Sequence, residues 1–411
     1  MKDAHFKRSL RFSYQLYQSF SDVFPFAMIY AWLAICQNLF VSENSFLAET
    51  CQWDFYLQEW WLFLSQTLGN VLRFLMIFIA AYFVASFIRR HLSFMKREFY
   101  LTSLLGFLVT WLFLARMGQG VDLLGPSQPF WLFLLVIAFV FLLGVKIWPF
   151  KSSALSYVGL GGVLLLICLG SNLLKRFPSF KPEYLLQMGF SNWLGGGPSH
   201  LWQVLFWSLL AIFMLNFGFL VPNALLHPYT ELTVVGENLD AALSQATDKI
   251  PHLFTLYTLK DSFAMFGGIG LLLALLLAVL IESRKRASSH YRQLALWTLV
   301  PVIFDQNLPF LLGLPVILQP ILLLPMILTT LLAEGLGALC LQIGWLNPAV
   351  YAVPNGTPSL LFGFLASNGD WRYLLVTALI LILAVLIYLP FVRLVLKREH
   401  QAAEWIERVD S

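Results

Sequence analysis

The stretch FDQNLPFLLGLPVILQP, Phe304 to Pro320, sets Asp305, Gln306 and Asn307 side by side and follows them with prolines inside a very apolar neighbourhood. Pro309 and Pro315 keep part of it from forming an uninterrupted helix, because proline lacks an amide hydrogen and its ring clashes with the preceding turn. A second irregular segment, VPNGTPSLLFGFLASNGDW, Val353 to Trp371, lies downstream. In hydrocarbon, broken backbone persists only where protein or a water-filled cavity satisfies the released groups. The two breaks therefore predict an all-α polytopic membrane protein with a polar interior site, not a simple anchor.

Composition agrees. Hydrophobic residues make up 59% of the 411 residues and charged residues 12%, with a mean hydropathy of +0.75. A soluble globular chain carries roughly twice that charged fraction. Phenylalanine, tryptophan and tyrosine together reach 16%, which suits lipid contact and interfacial anchoring. The net charge of +4 is no nucleic-acid signal, because the basic residues flank hydrophobic spans and there set topology. Cys36, Cys51, Cys168 and Cys340 are dispersed, form no CxxC or zinc-like cluster and read as isolated apolar fillers. No metal or cofactor is expected.

Hydropathy predicts eight to ten membrane elements, near Phe24–Phe40, Val71–Ile88, Leu101–Leu114, Phe130–Val145, Val158–Leu174, Leu201–Val221, Phe263–Ile281, part of Phe310–Leu341, and Leu374–Leu389. The short or interrupted ones are what re-entrant hairpins would produce. Basic clusters at Lys7, Arg8 and Arg11, at Arg89, Arg90, Lys96 and Arg97, at Arg284, Lys285 and Arg286, and at Arg393, Lys397 and Arg398 place both termini inside. Lys175, Arg176 and Lys181 fit that count less tidily. Residues 1–174 read as a regular membrane scaffold or oligomer interface. Residues 175–200 read as a turn-rich connector, 201–398 as the region carrying function, and 399–411 as a cytoplasmic tail or linker.

Polar residues inside the later half supply the candidate site. Asp305, Gln306 and Asn307 offer an acceptor and two amides, the chemistry needed to orient sugar hydroxyls. Asn355 and Thr357, between Pro354 and Pro358, can line the same cavity, whereas Asn368, Gly369 and Asp370 read as a turn or cap before Trp371. In LNFGFLVPNALLHPYTELTVVGENLD, Leu215 to Asp240, Asn216, Asn223, His227 and Glu231 belong either to a membrane-exit loop or to a buried polar face. Gly267, Gly268 and Gly270 permit close packing or local opening of the backbone, and lack the context of a nucleotide loop. Asp261 either caps the following helix or reaches the cavity.

These strings resemble the membrane-embedded IIC component of bacterial sugar phosphotransferase systems, in the lactose, cellobiose and diacetylchitobiose group. That family's pattern approximates NEPxxFGLPxxLNPxxxxP followed by VPWTTPPxxxGFxxxxGDWR. Here NLPFLLGLPVILQPILLLP spans Asn307–Pro325 and VPNGTPSLLFGFLASNGDWR spans Val353–Arg372, with weaker likeness through Asp261–Gly270 and Asn216–Asn223. The resemblance implies a IIC fold with re-entrant hairpins and a homodimer in the bacterial inner membrane. It also implies an N-terminal interface domain, a C-terminal sugar-binding domain, a sugar ligand such as a β-linked disaccharide, and a cytoplasmic IIB partner that supplies phosphoryl groups.

Departures from the pattern bear on function. The family's glutamate in NEP falls at Leu308 and its histidine in the FGIHG region at Leu220, and the family assigns both to recognition around the phosphoryl-accepting hydroxyl. Leucine neither accepts a hydrogen bond nor assists proton removal. Asn355 and Gly356 stand where the family has tryptophan and threonine, and Ile269 where it has serine. The expectation that follows is a degenerate, receptor-like IIC module lacking normal phosphotransfer and coupled to a partner or a C-terminal signalling domain. The alternative is a working permease with a relocated recognition set.

Overall fold

A computed structural model of the chain describes residues 2–93, 99–117, 129–147, 182–244, 250–285, 289–314 and 316–410, with isolated residues between 162 and 177. The expected span Val158–Leu174 falls largely outside the described residues. Cys168, Pro315 and the basic residues Lys96, Arg97, Lys175, Lys181 and Arg286 also lie outside them.

Among the described residues every regular element is helical, with an isolated bridge between Ser45 and Asn355. Four helices there are long and apolar enough to cross a membrane: Phe12–Val41, Glu59–Leu92, Pro320–Gln342 and Arg372–Arg398. Shorter apolar helices occupy Thr102–Ala115, Trp131–Leu143 and Leu201–Asn216. Cys36 and Cys51 are exposed, the first where its helix passes into the π-helix Gln37–Val41 and the second at the end of helix Phe46–Cys51.

The early helices are held by aromatic packing and one closed polar node. Phe20 stacks on Phe83 at 4.8 Å between centroids, and Trp131 meets both edge-on at 5.2 and 5.1 Å. Such pairs contribute about 0.5–1.5 kcal/mol each beyond their burial. Asp22 accepts hydrogen bonds from Arg90 Nη2 at 2.6 Å, Arg90 Nε at 3.0 Å and Ser86 Oγ at 2.5 Å, while Gln18 accepts from Arg90 Nη1. The node fastens helix Lys2–Cys36 to helix Glu59–Ser93.

Two expected spans are only partly regular helix, for identifiable backbone reasons. Helix Leu201–Asn216 stops five residues short of Val221, because Gly218 turns left-handed at φ +72°; Phe219 N donates to Met214 O and Gly218 N to Leu215 O, a Schellman cap. The expected span Phe263–Ile281 is regular helix only from Leu272. Before it, Leu256–Ala264 form a π-helix capped by Thr255 and Thr258, and Met265–Leu271 form a turn with positive φ at Gly267, Gly268, Gly270 and Leu271.

The opening stretch breaks in the same manner. Helix Ser289–Ile303 ends in a Schellman cap whose left-handed residue is Asp305, φ +58°, with Gln306 N donating to Pro301 O at 2.8 Å and Asp305 N to Val302 O at 3.1 Å. A short helix, Leu308–Gly313, follows and packs on Lys2–Cys36. A second left-handed residue, Leu318 at φ +61°, then leads into Pro320–Gln342. Thus the segment runs as helix, turn, one helical turn and a bend.

Candidate functional site

Three irregular segments meet around one polar node. Ser359 Oγ accepts from Gly267 N at 3.0 Å and donates to Ile303 O at 3.4 Å, so it joins the glycine turn, the 303–307 break and the 353–362 loop. Asn307 Nδ2 donates to Gly267 O at 3.2 Å. A Cβ at Gly268 would collide with that Asn307 amide, and its φ of +112° already disfavours any side chain. Gly267, Gly268 and Gly270 therefore serve close packing, while Gly268 also borders the cavity this packing leaves.

The cavity measures about 300 Å³, near the lower end of ligand pockets, which run from roughly 300 to 1,000 Å³. Asp261, Asp305, Asn307, His227, Asn355 and Thr357 line it. Asp305 Oδ1 is sealed from solvent and has no hydrogen-bond partner. Asp261 pairs with Lys260, whose side chain is 3% exposed. Asp261 lies within the π-helix, so the capping alternative fails: the cap there is Thr255. Burial first, and Lys260 second, hold the His227 imidazole below its usual range against the opposing pull of Glu231.

Aromatic and loop residues complete the walls. Tyr257 lies 5.2 Å from the Tyr229 ring and 5.3 Å from Phe362, and its hydroxyl donates to Tyr351 O at 2.5 Å. These rings give an apolar face opposite polar groups, the combination that grips a sugar by its C–H surface and its hydroxyls. The rim loop leans on the early half: Asn355 bridges to Ser45, and a Cβ at Gly356 would meet Asn38 O at 2.7 Å. Tyr229, Tyr257, Ser359 and Phe362 carried no sequence signal on their own, although Ser359 and Phe362 fall inside the second irregular segment.

Four sequence candidates do not border the cavity. Asn216 is buried and fully engaged elsewhere: its Nδ2 donates to Val316 O at 3.2 Å and Gln319 O at 3.1 Å, and its own carbonyl accepts from Leu318 N at 2.6 Å. It holds the bend before Pro320. Gln306 follows the left-handed Asp305 and takes the last position of the Schellman cap. Asn223 opens the turn Asn223–Leu226, and its buried Oδ1 lacks a partner, but it stands outside the lining. Glu231 is exposed. Leu220 and Leu308 are 3% and 2% exposed and pack in the hydrophobic core, away from the cavity wall.

The Asn368–Asp370 segment is a turn and cap. Asn368 is left-handed at φ +60°, and Asp370 accepts from Arg372 N at 3.1 Å, Arg372 Nε at 2.7 Å and Asn347 N at 3.0 Å.

With this geometry in hand, comparison with known proteins is informative. No family model matches the chain. Over 132 residues it is 34% identical to the PTS system cellobiose-specific EIIC component of Lactococcus lactis subsp. lactis, covering 32% of this chain and 26% of that protein. Over 168 residues it is 30% identical to the lichenan permease IIC component of Bacillus subtilis, covering 41% of this chain and 36% of the relative. The chain thus matches about a third of these relatives' length. A crystal structure of the transporter ChbC, the IIC component from the N,N'-diacetylchitobiose-specific phosphotransferase system, aligns over 96% of this chain and 95% of its own at 20% identity, with a TM-score of 0.43.

Proposed function

We propose that the chain is a IIC-type permease of a sugar phosphotransferase system, taking a β-linked disaccharide into the cavity and exposing it to a cytoplasmic phosphoryl donor of IIB type. The observation that carries this is the convergence of Asp261, Asp305, Asn307 and Asn355 with the Tyr257 and Phe362 rings on one cavity between broken helices. Similarity to permeases named for cellobiose and lichenan supports the substrate class. In this reading the breaks are the family's re-entrant elements, and the protein sits as a homodimer in the bacterial inner membrane with both termini cytoplasmic.

The receptor-like reading rests on Leu220 and Leu308, and it takes second place. Both leucines lie in the core rather than on the cavity wall, whereas two carboxyl groups and an imidazole border it. Asp305, with its unpartnered oxygen, is the group suited to hydrogen-bond a sugar hydroxyl in the cavity. The relatives moreover bear permease and EIIC names.

Reconstituted protein mixed with a phosphorylated IIB and a disaccharide panel headed by cellobiose tests the proposal. The expected result is IIB-dependent sugar phosphate, with Asp305→Asn weakening sugar affinity about tenfold, or about 1.4 kcal/mol. Binding without phosphorylation restores the receptor; no binding of any sugar removes both readings.

A further inference from the structure

Glu334 is not used by the cavity chemistry. It sits inside the 23-residue helix Pro320–Gln342, one of the membrane-length helices, and is fully buried. Neither carboxyl oxygen has a hydrogen-bond partner. The Thr330 hydroxyl, one turn earlier, and the Ser208 hydroxyl on the adjoining helix Leu201–Asn216 are unpartnered too. Ser208 lies beside the carboxyl without a hydrogen bond of good geometry to it, and Lys260 and Asp261 act on it from the π-helix. The remaining packed element, helix Arg372–Asp410, brings Tyr388, whose hydroxyl donates to Gly270 O.

A carboxylate without donors in such surroundings is far costlier than any single hydrogen bond repays, so the acid is held either protonated or against a cation. Ionisable groups inside membrane helices are for that reason functional by default. The cation acting on Glu334 is Lys260, and its ammonium is taken by Asp261. Lys260 acts on Asp305 as well, while its ion-pair partner among the described residues is Asp261; Asp261 and Asp305 border the cavity and Glu334 does not.

We propose that Glu334 is a proton-binding site and that Lys260 exchanges between Asp261 and Glu334, so that occupancy of the cavity releases the proton. With Lys260 on Asp261, Glu334 keeps its proton and is neutral. A sugar hydroxyl that donates to Asp261 competes with the ammonium, and Lys260 turns to Glu334. The carboxylic O–H bond then breaks, its electron pair stays on the carboxylate and the proton passes to water. By linkage, raising the proton concentration weakens sugar binding by the same factor. This exchange rests on the sugar cavity proposed above; the proton site itself does not.

The test uses the full chain in lipid nanodiscs and a hydrophobic carbodiimide, which labels a protonated carboxylic acid, read at Glu334 by peptide mass spectrometry. Labelling is expected at low pH and lost as pH rises, with a midpoint that Lys260→Met shifts upward by about one pH unit or more, since the ammonium favours the charged acid. Cellobiose is expected to shift the midpoint downward. Infrared absorption of the protonated acid, wild type minus Glu334→Gln, gives a readout independent of reagent access. Absence of a pH-dependent acid band, or protection by sodium at constant pH, overturns the proton site. Cellobiose that binds by calorimetry without moving the midpoint overturns the exchange. Cellobiose that does not bind refutes the sugar assignment instead, and the pH titration alone then decides Glu334.

Discussion

The early helices and the later broken region both bury polar groups, but they treat them oppositely. At the Asp22–Arg90 node, Arg90 and Ser86 supply three donors to the carboxylate, and Gln18 takes a further guanidinium hydrogen. In the later region, Asp305 Oδ1 and both Glu334 oxygens lack a hydrogen-bond partner. A satisfied node holds two helices in register; an unsatisfied one is held in place by its surroundings and keeps its capacity for a ligand or a proton. Pairing, rather than burial or charge, separates Asp22 from Asp305 and Glu334, while Asp261, paired with Lys260 and bordering the cavity, combines both traits.

The sharpest way to break this contrast is to disturb what holds the unsatisfied groups. Gly268→Ala places a methyl against the Asn307 amide at a backbone angle of φ +112° and disrupts the Asn307 bond to Gly267 O. Strain and overpacking together are expected to destabilise the protein by about 3 kcal/mol, seen as a fall in detergent thermal stability together with loss of sugar binding. Stability and binding that both survive would show that the glycine turn does not shape the cavity.

Next in size is removal of a satisfied acid. Asp22→Ala takes the carboxylate from Arg90, whose side chain is 23% exposed, and is expected to cost about 2 kcal/mol. Sugar affinity should stay unchanged, because the node lies outside the cavity lining. Thermal unfolding and calorimetry on the same variant separate the two. A binding defect without loss of stability would place Asp22 on the functional side of the comparison.

Much of the broken architecture was legible because proline, glycine and clustered polar residues interrupt apolar runs at Phe304–Pro320 and Val353–Trp371. Six of the ten candidate residues reach one cavity for the same reason: a break exposes the side chains adjoining it. Asn216, Gln306 and Asn223 went elsewhere because an amide beside a helix end is equally useful to stray backbone groups, and spacing does not say which use wins. Tyr257 and Lys260 were hidden by a π-helix, whose register differs from the periodicities that sequence reading assumes. Glu334 had a signal that went unread, a lone acid in an otherwise apolar 23-residue helix.

The smallest expected effect tests whether pairing or region decides. Asp370 belongs to the later half, yet it is paired like Asp22. Burial alone would push its carboxyl up, but the Arg372 guanidinium and the Asn347 and Arg372 amides hold it below its ordinary value of 3.8. A carboxyl lowered by folding adds stability that is fully present above its unfolded value and disappears as pH falls through the folded one. The thermal midpoint should therefore decline slightly more between about pH 5 and about pH 3 in the wild type than in Asp370→Asn, which has no charge to lose. Sugar affinity in Asp370→Asn should match the wild type at neutral pH. If affinity falls there while stability holds, a paired acid of the later half is acting on the ligand, and region rather than pairing marks the site.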